Sequence, residues 1–267
     1  MRRQKLAEAR KKAGKSQEQV AHELGLDRTT IGKWERGEST PHPQQRPRYA
    51  DALGISLHEL DQMLSGLPPA DGRTPIWLAQ YLGMEQSASS MRSHETQVVD
   101  GLLQTPDYAA AIARSVGVGE TPESYVQRNI EQRAWRQARV LSGDLQLFVV
   151  QPETVLRLQL GTPEVMAGQM DRLVELGDRP NVTYQIVPFS IGQYEAMRMG
   201  AFKIFIHPWT QGASVYVIRH EGTFLVDDAD EAENYEAAWE QATRLALSPD
   251  ETAALCKEAA EQWRSRR

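Results

Sequence analysis

The chain has a single cysteine, Cys256, in 267 residues. That excludes a disulfide framework and a Cys-rich zinc site. None of the six histidines (His22, His42, His58, His94, His207, His220) forms an H-x-x-x-H or H-E-x-x-H pair, so the helical metal signature is missing too. No apolar run approaches the length of a transmembrane helix. The basic N-terminus has no apolar stretch behind it to make a secretory signal. A G-x-S-x-G elbow, a Walker loop and a G-x-G-x-x-G turn are all absent. These gaps point to a cytoplasmic protein with no membrane segment, no metal, no cofactor and no enzymatic role.

What is present is enough for two ordinary domains. Hydrophobic residues make up 40% and charged residues 25%, normal for a chain that buries a core. The net charge of -6 hides an asymmetry. Residues 1–48 hold 12 Lys/Arg against 6 Asp/Glu, and the rest hold 18 against 30. A basic head on an acidic body suggests a polyanionic partner for the head alone. A solvated helix face would carry the same charges.

The head reads as short helices. Leu6, Ala9, Arg10 and Ala13 make an amphipathic first helix. Ser16 is an N-cap with Gln19 at capping-box spacing, and Val20, Ala21 and Leu24 follow on one face. Gly25 ends that helix and Asp27 caps the next, where Ile31 and Trp34 point inward and Gly37 closes. Two short helices joined by a tight turn form a helix-turn-helix. Further helices are expected around Gln44–Leu53 and over Leu57–Leu64. Pro47 cannot sit inside a helix, so the fourth is expected to start near Arg46 or Pro47. Residues 1–65 are thus read as an all-α, five-helix domain.

The stretch "SQEQVAHELGLDRTTIGKWERGESTP" resembles the helix-turn-helix of Cro and the phage repressors, the XRE family, over residues 3–64. The resemblance implies a lambda-repressor-like fold and a double-stranded DNA partner. With Ile31 and Trp34 turned inward, Arg28, Thr29, Gly32 and Lys33 face outward. Arg and Lys can reach guanine edges and the Thr methyl can meet a thymine methyl. Gly32 would let the helix sit deep in the groove. Gln17 fits a phosphate contact at a helix N-terminus, and Arg36 and Lys15 would add backbone contacts. The resemblance also implies that Arg10 pairs with Glu35 as a structural contact.

"SGLPPADGRTP" marks a boundary, with residues 66–75 as linker and 76–267 as a regulatory and dimerisation domain. Thr74–Arg92 reads as helical, Thr105 caps another helix, and a long one covers roughly 123–141. Residues 145–150, 182–188, 201–206, 214–219 and 223–227 read as strands. The last three are expected to form an antiparallel meander. A capped helix ending at Gly177 lies between the first two. Two acidic helices, Asp228–Leu245 and Ser248–Arg264, finish the chain, the second with the capping box "SPDE". The expected domain is α+β, a small and mostly antiparallel sheet covered by helices.

"GLLQTPDYA", "RPNVTYQIVPFSIGQYEAMRMGAFKIF" and "LALSPDETAAL" resemble the C-terminal domain of unassigned function (DUF5753-like) that follows an XRE-type head in many actinobacterial regulators. The resemblance implies an antitoxin-like regulator working beside a small companion protein. Asp100 stands where a proline commonly precedes "GLLQT", and "VYVIRHEGT" departs after its strand. Either could alter a contact surface. Cys256 lies in a helical pattern and reads as core. The loop "PFSIGQYEAMRMGAF" carries Tyr194, Met197 and Met199, and Trp209 sits at a strand turn; these four are candidates for a ligand or partner site. An ordinary loop covering the core would look the same. The leading reading is a homodimeric, sequence-specific transcriptional regulator whose body binds a partner protein. In the alternative the body senses a small molecule.

Overall fold

The computed structural model describes residues 4–39, 41, 45–56, 59–60, 63–64, 76–115, 121–207, 213–219, 222–226 and 228–266. In the head, α1 spans Gln4–Lys12, α2 Gln17–Leu24, α3 Arg28–Arg36 and α4 Arg46–Leu53. Local chemistry sets each end. Ser16 and Gln19 close a capping box on α2, and the Asp27 carboxylate accepts from Thr29 N at 2.7 Å to cap α3. Gly25 and Gly37 end these helices at φ 70° and 74°, where a Cβ would be strained. Pro47 stands in the first turn of α4, where a missing N–H loses no helical bond, so the helix begins at Arg46.

These helices close on Leu6, Val20, Ile31, Tyr49 and Leu53, with the Trp34 and Tyr49 rings 5.0 Å apart. Burying each large side chain contributes about 1.5–3 kcal/mol. The expected fifth helix, Leu57–Leu64, lies partly outside the described residues. Within them, Ser56 and Glu59 exchange capping-box bonds, and Leu60 and Leu64 are buried in the same core. The expected linker also lies outside them.

The chain divides into two compact units, the first running to Ala88 and taking in short later pieces. It therefore includes α5 (Ile76–Ser87). Arg46 gives a reason. It is 1% exposed, and donates to Pro41 O at 3.1 Å and to Met84 Sδ at 3.2 Å. The guanidinium packs against Gly83, where an added Cβ would lie in ordinary contact, 3.5 Å from two of its nitrogens.

The second unit is built on β1 to β5 of a sheet of order β3-β2-β1-β4-β5-β6. The strands of the sheet are β1 (Ser90–His94), β2 (Gln146–Pro152), β3 (Val182–Val187), β4 (Ala201–Ile206), β5 (Ala213–Arg219) and β6 (Gly222–Leu225). β1 pairs parallel with β2, and β2 with β3; β1 with β4 and β4 with β5 are antiparallel. The sheet is mixed, which corrects the expectation of a mostly antiparallel one. The cause is connectivity. α6 (Pro106–Ser115) and α7 (Glu123–Ser142) carry the chain from β1 to β2. A short α8 (Thr154–Arg157) and α9 (Pro163–Gly177) carry it from β2 to β3. Such helical crossovers return strands in parallel.

β1 is the second correction, because the first three residues of "SMRSH", Ser90–Arg92, fall inside the stretch read as a helix. It has little intrinsic strand preference. It is a strand because β2 and β4 satisfy its backbone on both sides, context overriding propensity. After β3, α10 (Glu195–Met199) precedes β4. α11 (Ala229–Leu245) then lays Tyr235, Ala238 and Trp239 over Phe202, Ile204, Val215 and Val217. α12 (Pro249–Ser265) buries Trp263, whose indole donates to Leu156 O at 2.8 Å. Cys256 is 1% exposed, and burial pushes its thiol up to about 12, as befits a core residue.

Candidate nucleic-acid interface

α3 has two faces. Ile31, Trp34 and Glu35 are buried, at 0%, 3% and 6% exposure. Arg28, Thr29, Lys33 and Arg36 are exposed. The inward residues thus fix which way the outward ones point. Gly32 is buried rather than open, because the Arg36 guanidinium folds over it. A Cβ at Gly32 would lie 2.9 Å from that side chain.

The expected pair of Arg10 with Glu35 is present. Arg10 Nε donates to Glu35 Oε1 at 2.6 Å, and a second guanidinium nitrogen donates to Oε2 at 3.2 Å. A third donates to Lys15 O at 2.8 Å. The bond to Glu35 holds the Arg10 guanidinium above its ordinary value, against the effect of burial. Gln17, read as a phosphate contact, gives its amide to Glu35 Oε2 at 2.8 Å. It therefore completes this internal pair.

Other expected contacts are also engaged. Lys15 pairs with Glu23 at 2.8 Å, and Arg36 donates twice to Glu38 at 2.6 and 2.9 Å. The Thr29 hydroxyl donates to Asp27 at 2.6 Å, leaving its methyl as the free group. Bonds from the Thr29 hydroxyl and backbone N–H hold the Asp27 carboxyl below its ordinary value. Among the described residues, Arg28 and Lys33 bond no other side chain. Two cations on one exposed helix face are thus free to meet an anion, and the remaining polar groups would exchange partners to do so.

The four body candidates do not form one site. Tyr194 is 7% exposed, within the core. Its hydroxyl lies 3.0 Å from His94 Nε2, and His94 Nδ1 lies 2.9 Å from Gly200 O. A carbonyl can only accept, so Nδ1 carries the proton and Nε2 accepts from the Tyr194 hydroxyl. Burial drives the His94 imidazole down to about 4 and the Tyr194 phenol up. Met199 packs on the same core, while Met197 is 38% exposed. Trp209, and His220 and Glu221 of "RHEGT", lie outside the described residues.

The sequence reading missed a buried charge cluster. Lys203 on β4 bonds Asp100, Ser93 Oγ at 2.6 Å and Glu95 at 3.0 Å. Ser93 donates to Asp100 at 2.5 Å, and the Asp100 carboxylate also caps Leu102 N at 2.8 Å. Asp100 is wholly buried, which removes it from any contact surface. Burial alone would raise its carboxyl, but Lys203 and these bonds hold it below the ordinary range. Burial keeps the Glu95 carboxyl raised. A readable signal did exist. Lys203 interrupts the apolar run "AFKIFI", and lysine is almost never fully buried unless paired.

Residues 78–258 match the family described as Domain of unknown function (DUF5753), and residues 6–60 match the family described as Helix-turn-helix. A curated relative is the cryptic phage CTXphi transcriptional repressor RstR of Vibrio cholerae serotype O1. It is 41% identical over 58 residues, 22% of this chain and 52% of the relative. The chain thus spans about half the length of the curated relative it matches. No solved structure matches. These matches bear out both resemblances read from the sequence. The helix-turn-helix match and the repressor relative support a DNA-binding transcriptional regulator. No helix among the described residues is long and apolar enough to cross a membrane.

Proposed function

The chain belongs to the DUF5753 family, and we propose that it is a sequence-specific DNA-binding transcriptional regulator that acts in the cytoplasm as a homodimer. The observation that carries this reading is the face of α3. Buried Ile31 and Trp34 turn Arg28 and Lys33 outward with no partner among the described residues. In the major groove these cations reach guanine O6 and N7, and the Thr29 methyl meets a thymine methyl. Gly32 allows close approach, and Lys15, Gln17 and Arg36 join through phosphate contacts after leaving their carboxylates. One short helix reads few bases, so two copies on half-sites one helical turn apart supply specificity.

The body's duties are dimerisation and the binding of a companion protein. Phe189, Ile191 and Met197 are 58%, 38% and 38% exposed within a single segment. Exposed apolar side chains suit a protein partner better than a small molecule. The small-molecule reading has less support, since Tyr194 and Met199 belong to the core.

Selection of bound sequences from a random DNA pool with the full chain tests the reading. The expected product is an inverted repeat with half-sites about 34 Å apart. Light scattering is expected to give twice the chain mass. A pool without enrichment would contradict sequence-specific binding, and a monomer mass would contradict the homodimer.

A further inference from the structure

The motif "GLLQT" has no part in the head's chemistry, yet two of its residues shape a pair of arginines. Gln104 is 3% exposed. Its amide donates to Val99 O at 2.6 Å, which turns its carbonyl oxygen towards α7. That oxygen accepts from Arg133 Nε at 2.5 Å. Asn129, one turn earlier on α7, accepts from Arg133 at 3.2 Å through Oδ1. Gln137, one turn later, donates to Gly101 O at 3.3 Å and Gln104 O at 2.7 Å, pinning the loop to the helix. The Arg136 guanidinium lies over Gly101, 3.4 Å from where a Cβ would stand.

The acceptors around Arg133 are neutral. Among the described residues no carboxylate bonds it. Two other cations, Lys203 and Arg136, stand near it, with the carboxylates Glu95 and Asp100. Lys203 answers Asp100 and Glu95, and the field of Arg136 also acts on Glu95. Among the described residues Arg133 bonds only the neutral groups of Gln104 and Asn129. Burial, and then Arg136, lower its guanidinium to about 10, so the site disfavours the charge it holds. A half-buried cation calls for a counter-charge. A guanidinium fork held in one orientation presents donors suited to two oxygens of one group.

We propose that Arg133, with Arg136 beside it, forms an oxyanion-binding site that takes a phosphate or carboxylate group, oriented by Gln104, Asn129 and Gly101. The site stands whether or not the head binds DNA. Its ligand is either a free anion or the acidic side chains of a protein segment, and both present the same oxygens to the fork.

The test uses the full chain. Thermal melting and titration calorimetry are run with inorganic phosphate and, separately, with a hexaglutamate peptide, each against chloride at equal ionic strength. A saturable rise of the melting midpoint with either oxyanion is expected. A response to phosphate identifies a free anion as sufficient, and a response to the peptide alone identifies a protein segment. Phosphate stabilises folded proteins generally by exclusion from their surface, so the variants decide. Asn129→Asp places a carboxylate where Arg133 already donates. It should raise the midpoint without added oxyanion and abolish the response. Arg133→Gln should weaken binding at least tenfold. An oxyanion effect no larger than that of chloride, or one undiminished in Asn129→Asp, would overturn the proposal.

Discussion

The head buries Arg10 and Glu35 as a matched pair, and it also buries Arg46, which donates to Pro41 O and Met84 Sδ. Its surplus cations, Arg28 and Lys33, stand in water on a helix face. The body hides Lys203 between two carboxylates and keeps a further cation, Arg133, half-buried among neutral acceptors. In the head, buried charge orients a surface that then meets its partner at little desolvation cost. In the body, charge locks a loop to a sheet, and the leftover cation is set into the fold itself. A charged residue near a site therefore means different things in the two places. In the head it is position, and in the body it is an incomplete balance.

The largest effects come from stranding a carboxylate. Arg10→Met leaves the Glu35 carboxylate buried without a counter-charge, and Lys203→Met does the same to Asp100 and Glu95. Each should cost about 3–5 kcal/mol in urea unfolding. Hydrogen exchange should assign the first loss to α1 and α3, and the second to β1 and β4. Removing Arg10 and Glu35 together should cost less than the sum of the single losses. Additive losses, or a loss spread evenly over the chain, would break the comparison.

A somewhat smaller effect separates the two regions by pH. The unfolded chain protonates His94 near its ordinary value of 6.5, whereas the folded body resists until about 4. Stability is therefore level above the upper value and falls as pH drops through this window. The loss should approach about 3 kcal/mol, seated in the body. Asp100, held below the ordinary carboxylate range, adds its own loss only at more acid pH, where the unfolded carboxyl protonates. His94→Gln should flatten the upper window in a melting series. An unchanged slope would show that His94 does not set it.

The smallest effect sharpens the account of the head. Gly32→Ala brings a Cβ against only the flexible end of Arg36, so the helix should gain roughly 0.5–1 kcal/mol. DNA affinity should nevertheless fall, because the new methyl group separates helix from groove. A stabilised variant with unchanged affinity would remove Gly32 from the interface.

The head was legible because its signals are local. Ser16, Gly25, Asp27 and Gly37 each act within a few residues, and the caps they imply are present. Gln17 shows where that reading ends. Its bond to Glu35 spans 18 positions, which no local pattern reports. The body depends on such separations throughout. β1 is a strand through neighbours more than fifty positions away, at Gln146 and Ile206. Asp100 meets Lys203 across 103 positions, and Tyr194 meets His94 across 100. The five strands read from their alternation are present, because that pattern needs only the strand itself. Their parallel pairing was recoverable in principle, since a helix between two strands implies a crossover.

The central claim is that the outward face of α3 reads bases, and Lys33 tests it most directly. Its ammonium is exposed and has no side-chain partner among the described residues, so Lys33→Ala removes a contact without disturbing the core. Affinity is measured on the selected DNA site, on variants of that site at each base pair, and on random DNA. The account predicts a loss of about 1–3 kcal/mol on the selected site, relaxed preference at one base position and a much smaller loss on random DNA. Unchanged affinity and unchanged preference on all three would contradict it.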